Sequence, residues 1–217
     1  KSSRNINGQG IALMQINDAS KMIFVHIPRT GGSWFTYSWN NDRSARYFWH
    51  SNDVLMNSKT HSKVEIGRHG RLAGIKKQLA VIDVKIEEFK VVTLVREPID
   101  RIVSAWKWFS IVKETAKKHR WKSIDDMLDE YEGGAKRANY LPQTFWLEEQ
   151  GAKFDHIFKF EDLLQGYKEI QKVFPLYKPK GKLRRTVHEI KLTNSQIKRI
   201  KKLYKDDIKY LEKYYEN

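Results

Sequence analysis

The sequence has 217 residues, 40% of them hydrophobic and 12% aromatic with seven Trp, which excludes a disordered chain and suits one domain with a single core. Lys and Arg number 41 against 26 Asp and Glu, a formal charge of +15, so the surface draws anions: nucleic acid, nucleotide phosphates or polyanionic glycans. There is no Cys, which removes disulfides, thiolate zinc sites and cysteine nucleophiles and makes a reducing, cytoplasmic setting the expectation. No apolar run reaches the roughly 18 residues of a membrane span and no signal segment opens the chain; it begins at Lys1 rather than Met, which leaves an upstream segment open.

Residues 1–20 are polar, with Gly8 and Gly10, and read as an N-terminal arm preceding a domain over 21–217. Met22-Ile23-Phe24-Val25-His26-Ile27 is a short apolar run closed by Pro28 and the Gly31-Gly32 pair, the pattern of a buried strand ending in a turn, with a helix following from Ser33. The mixed stretch from Tyr47 to Lys63 reads as loop, and Arg71 to Leu79 as a helix. Phe89 to Val95 reads as a second buried strand, stopped by Arg96-Glu97-Pro98. After Pro98, the positions Ile99, Ile102, Val103, Trp106 and Phe109 give a helix one apolar face.

A third strand is expected at Phe154–Phe160. The tail from Asn194 to Tyr215 repeats Ile197, Ile200, Leu203, Ile208, Leu211 and Tyr215 as one amphipathic helix capped by Thr193 or Asn194. Strands alternating with helices predict an α/β single domain with a central, largely parallel sheet, whose ligands bind beyond the carboxyl ends of the strands.

His26 to Trp34 has the chemistry of an anion cradle. Gly31 and Gly32 let the backbone come close, Arg29 brings charge, Thr30 and Ser33 bring hydroxyls, and a helix start brings N–H groups. There is no GxxxxGK[ST] and no acidic strand end to hold magnesium, which weighs against a metal-dependent kinase.

The segment Phe24 to Trp34 resembles the 5'-phosphosulfate loop HIPKTGGT of sulfotransferases that use 3'-phosphoadenosine 5'-phosphosulfate (PAPS), in the branch of the heparan sulfate 2-O and 6-O enzymes and their bacterial relatives. Arg29 stands where that branch usually has lysine; the tyrosylprotein sulfotransferases resemble this chain in using arginine. Val95 to Trp106 is similar to the family's 3'-phosphate motif, and the resemblance assigns Arg96 and Ser104 to that phosphate and leaves Arg101 structural. Asn139 to Gln143 resembles the family's Pro-Gln segment and Phe158 to Leu163 its strand-end Glu-x-Leu. Leu183 to His188 resembles its late basic stretch, which makes Arg184, Arg185 and Thr186 adenine-side candidates. The resemblance implies a P-loop-kinase-like sulfotransferase fold, with Arg29, Thr30, Gly31, Gly32, Ser33 and Trp34 on the PAPS phosphosulfate.

Transfer needs a base for the acceptor proton. His69, in Gly67-Arg68-His69-Gly70, falls where the resembled 2-O enzymes carry a catalytic histidine, with binding or packing as its plainer role. Glu65 is the fallback, Glu97 and Glu161 are less favoured, and His26 reads as structural. The expected reaction is sulfuryl transfer from PAPS, with no metal, to a hydroxyl on a carbohydrate, an anionic glycan suiting the charge. No stable nucleic-acid partner is expected. The rivals are a nucleotide-dependent phosphotransferase, a basic nucleic-acid-binding module using the Lys-rich C-terminal helix, and an inactive PAPS binder.

Overall fold

Two runs of buried apolar residues set the centre of the fold. The computed structural model describes residues 14–17, 20–37, 45–47, 54–56, 63–65, 71–81, 83–111, 121–135, 137–165, 167–174 and 190–215. Its strands are β1 (Met14–Asn17), β2 (Met22–Val25), β3 (Ala45–Tyr47), the separate antiparallel pair β4 (Val54–Met56) and β5 (Lys63–Glu65), then β6 (Lys90–Val95) and β7 (His156–Lys159). The main sheet runs β3-β1-β2-β6-β7. Its three strands β2, β6 and β7 are parallel; β1 is antiparallel to both neighbours and makes one side of the sheet mixed.

The helices are α1 (Gly32–Tyr37), α2 (Leu72–Val81), α3 (Pro98–Ile111), α4 (Ile124–Glu132), α5 (Thr144–Leu147), α6 (Phe160–Leu164), α7 (Lys168–Val173), α8 (Asn194–Leu203) and α9 (Lys205–Tyr215). Successive side chains of a strand point to opposite faces. Ile23, Val25 and Val91 accordingly pack with Leu72, Ile75 and Leu79 of α2 on one face. Met22, Phe24, Val92 and Leu94 pack with Phe35, Leu163 and Ile170 on the other. Covered on both faces, β2 and β6 carry no polar alternation, as parallel strands require.

At the carboxyl ends of β2 and β6, Ile27 and Val95 join a cluster with Trp146, Leu147 and Leu211. This brings the C-terminal helix α9 against the turns that leave the two strands.

Three local expectations change. Residues 14–17, read as part of an arm, form β1, because Met14 to Asn17 pair residue for residue with Val25 to Met22. The stretch read as loop from Tyr47 to Lys63 includes β4 and meets β3 and β5 at its ends; three-residue strands are too short to print a period. The single tail helix is two. Thr193 caps α8 through a box with Gln196, and Tyr204 (φ −111°, ψ 29°) separates α8 from α9. The Tyr204 ring is stacked on Tyr131 and its hydroxyl donates to the Tyr140 carbonyl at 2.6 Å.

Candidate active site

The first turn leaves β2 at Val25 and reaches α1 at Gly32. Two of its residues take the left-handed conformation, Gly31 at φ 88° and Arg29 at φ 68°; for Arg this is strained by about 1 kcal/mol and needs support from its surroundings. The support is visible. Thr30 Oγ1 donates to the Ile27 carbonyl at 2.8 Å, Arg101 Nε to the Pro28 carbonyl at 2.9 Å, and Arg96 Nη1 to the Arg29 carbonyl at 3.4 Å. Both glycines are required by close approach. A Cβ on Gly31 would lie 2.5 Å from the Phe160 ring, and one on Gly32 would overlap the His26 ring.

The second turn leaves β6 at Val95. Pro98 opens α3, where its missing N–H is no loss, and the Glu97 carboxylate accepts from Asp100 N at 2.7 Å within the first turn. Burial raises the Glu97 carboxyl, against the lowering effect of that bond. The Arg96 guanidinium lies over the Phe160 ring at 4.2 Å, with Nη2 3.9 Å from Asp100.

The two turns touch. Arg29 Nη2 donates to Ser104 Oγ at 3.1 Å, and its guanidinium carbon sits 5.6 Å from the Trp108 ring. Ser104 and Trp108 are four apart on α3 and so share the face toward the first turn. Burial first, then the charges of Arg96 and Arg101, pull the Arg29 guanidinium down to about 10. Its Nε is buried with no hydrogen-bond partner among the described residues. Three cations within Coulombic reach and a leftover donor fit a multi-oxygen anion, which would relieve the repulsion and take the hydrogen bond.

Behind the turns lies a buried polar scaffold. Arg101, Gln143 and Asp207 are each 0% exposed. Besides its bond to Pro28, Arg101 donates through Nη1 to the Leu141 carbonyl at 2.8 Å. Burial lowers its guanidinium despite the opposing effect of Asp207. Asp207, from α9, accepts from the backbone N–H groups of Gln143 (2.7 Å) and Thr144 (2.8 Å) and from Thr144 Oγ1 (3.0 Å). Gln143 in turn bonds the Arg96 main chain on both sides.

Arg29, Arg96 and Ser104 therefore come together. Gly31 and Gly32 form the floor of the first turn. The Thr30 hydroxyl, expected from the sequence to donate to an anion, is buried and donates to Ile27 instead, so its role is to shape the turn. Ser33 is exposed, and Trp34 lies against Tyr167, ring centres 5.9 Å apart. His26 is buried against Gly32 and Phe24. Glu161 holds other groups, accepting from Glu97 N at 3.3 Å and Tyr215 Oη at 2.8 Å. His69, Arg184, Arg185 and Thr186 lie outside the described residues.

Asp207 and the side-chain role of Gln143 escaped the sequence reading. A signal exists for Asp207: in the tail pattern it falls between Tyr204 and Leu211, a polar residue on the apolar stripe.

The model of one protein family, described as the sulfotransferase family, matches residues 13–215, nearly the whole chain. The chain belongs to the sulfotransferase family. No curated relative and no solved structure matched it. In this sulfotransferase the match begins one residue before β1, so the antiparallel edge of the sheet lies inside the family's span. Sulfuryl transfer is the chemistry of the family at large. Among the described residues, no group of three or more His, Asp or Glu is placed to hold a metal ion, and no helix is long and apolar enough to cross a membrane.

Proposed function

We propose that this sulfotransferase moves a sulfuryl group from PAPS to a carbohydrate hydroxyl by in-line displacement. The observation that carries the reading is the Arg29 to Ser104 contact at 3.1 Å, because it brings a charged loop beyond β2 against a hydroxyl on α3, so that anion-binding groups from both turns share one place. Arg29 and the backbone from Thr30 to Trp34 hold the 5'-phosphosulfate. Arg96 and Ser104 hold the 3'-phosphate, and Arg184, Arg185 and Thr186 take the adenine side.

In the reaction the bond from sulfur to the bridging oxygen breaks as a bond from sulfur to the acceptor oxygen forms. Arg29 donates to the oxygen that gains charge as it leaves, and His69 takes the acceptor proton. The products are a sulfate ester, 3'-phosphoadenosine 5'-phosphate (PAP) and a protonated base. An anionic glycan as acceptor is supported by the excess of 41 basic over 26 acidic residues.

The test is isothermal titration with PAP on wild type and Arg96→Ala, followed by a glycan screen with radiolabelled sulfate donor. Micromolar binding by wild type, weakened about tenfold or more in the variant, supports the reading. Absence of binding by wild type overturns it.

A further inference from the structure

Arg96 stands one residue past the β6 ladder, whose last registered pair is Val95 with Lys159. Its main-chain N–H and C=O therefore need partners from elsewhere. Both come from one side chain: Arg96 N donates to Gln143 Oε1 at 3.0 Å, and Gln143 Nε2 donates to Arg96 O at 2.8 Å. The carboxamide thus acts as one more rung of the sheet, and its orientation is fixed because an N–H can only donate and a carbonyl can only accept. Gln143 is itself held through its N–H by Asp207, whose second oxygen is taken by Thr144. A continuous line of buried and half-buried hydrogen bonds thus runs from α9 to the backbone of Arg96.

We infer that Gln143 is a positioning residue that sets the backbone of Arg96 for the 3'-phosphate, with Asp207 of the C-terminal helix holding Gln143 in place. The inference rests on the proposed assignment of Arg96 to that phosphate. Gln143 reaches Arg96 only through main-chain atoms, so it governs where the guanidinium starts rather than touching the nucleotide. Its influence falls mainly on the 3' end. Two braces of the first turn, Thr30 on Ile27 at 2.8 Å and Arg101 on Pro28 at 2.9 Å, do not pass through Arg96, and only the longer 3.4 Å bond to the Arg29 carbonyl does.

That separation supplies the test. Affinities for PAP and for adenosine 5'-phosphate, which lacks only the 3'-phosphate, are measured by isothermal titration on wild type, Gln143→Met and Arg96→Ala. Gln143→Met keeps the side-chain length and removes both hydrogen bonds. The preference of wild type for PAP should fall about tenfold in Gln143→Met, while affinity for adenosine 5'-phosphate stays within about threefold; a merely structural defect would weaken both ligands together. Should Gln143→Met not yield folded protein, Gln143→Leu, which also removes both hydrogen bonds, is read by the same ratio. A wild-type ratio retained in the folded variant, or an equal loss for both ligands, overturns the inference. A wild type that does not prefer PAP, or an Arg96→Ala variant that keeps the preference, overturns the underlying phosphate assignment instead.

Discussion

Replacing Arg29 by Met should abolish turnover and yet stabilise the ligand-free protein. The guanidinium is held down to about 10 by burial, then by Arg96 and Arg101, a displacement from the ordinary arginine range that corresponds to about 3 kcal/mol of unfavourable charge in the folded state. Against this, the variant loses the bond to Ser104 Oγ and the contact with Trp108, each worth about 1 kcal/mol. The difference leaves a gain of about 1 kcal/mol, or a rise of about 2–4 °C in Tm for a chain of this size.

The sign with pH follows from the same quantities. Arg29 has a lower pKa folded than unfolded, so between about 10 and the ordinary arginine range the unfolded chain holds more protons and wild-type stability rises with pH. The advantage of Arg29→Met is therefore constant below about pH 10 and fades above it. Thermal unfolding followed by circular dichroism, paired with a PAPS turnover assay, reads both effects. A Tm lowered by about 2 °C or more, or turnover left intact, would refute the reasoning.

Gly32→Ala should lower stability by about 2–4 kcal/mol, because the new methyl overlaps the His26 ring, and weaken PAP binding with it; urea unfolding and titration check the two effects. Arg101→Met should lower stability by about 2–3 kcal/mol, since it leaves the Pro28 and Leu141 carbonyls without their donor and removes the favourable charge near Asp207; a urea midpoint close to wild type would show the network to be dispensable.

Much of the sheet was legible because its central strands are buried on both faces. Met22 to Val25 and Lys90 to Val95 are near-continuous apolar runs ended by Pro-containing turns, and burial of that kind leaves a mark in composition alone. The helix α3 was legible from its three-and-four spacing and from Pro98. Short strands such as β3, β4 and β5 leave no comparable mark, and β1 forms through its register with β2 rather than through its own apolar content.

Within the site, Arg29, Arg96 and Ser104 could be named because they fall in short motifs that follow a strand, Arg29 and Arg96 in the turns and Ser104 on α3, where the family resemblance assigns them to phosphates. Gln143 and Asp207 act across 47 and 64 residues of chain respectively, and contacts of that range are set by how α9 packs, which no local pattern encodes. The split of the tail helix was hidden for a related reason. The break falls on Tyr204, a residue with no helix-breaking chemistry, whose side chain is engaged by Tyr131 and Tyr140 from distant parts of the sequence.

The aromatic contacts on the two glycines have a kinetic side. With Phe160 against Gly31 and His26 against Gly32, the loop backbone cannot swing without first dislodging two rings from the packed interior. A nucleotide bound as proposed would therefore meet a rim whose shape is already set, and its capture would be governed by diffusion and charge steering rather than by a wait for the loop to rearrange.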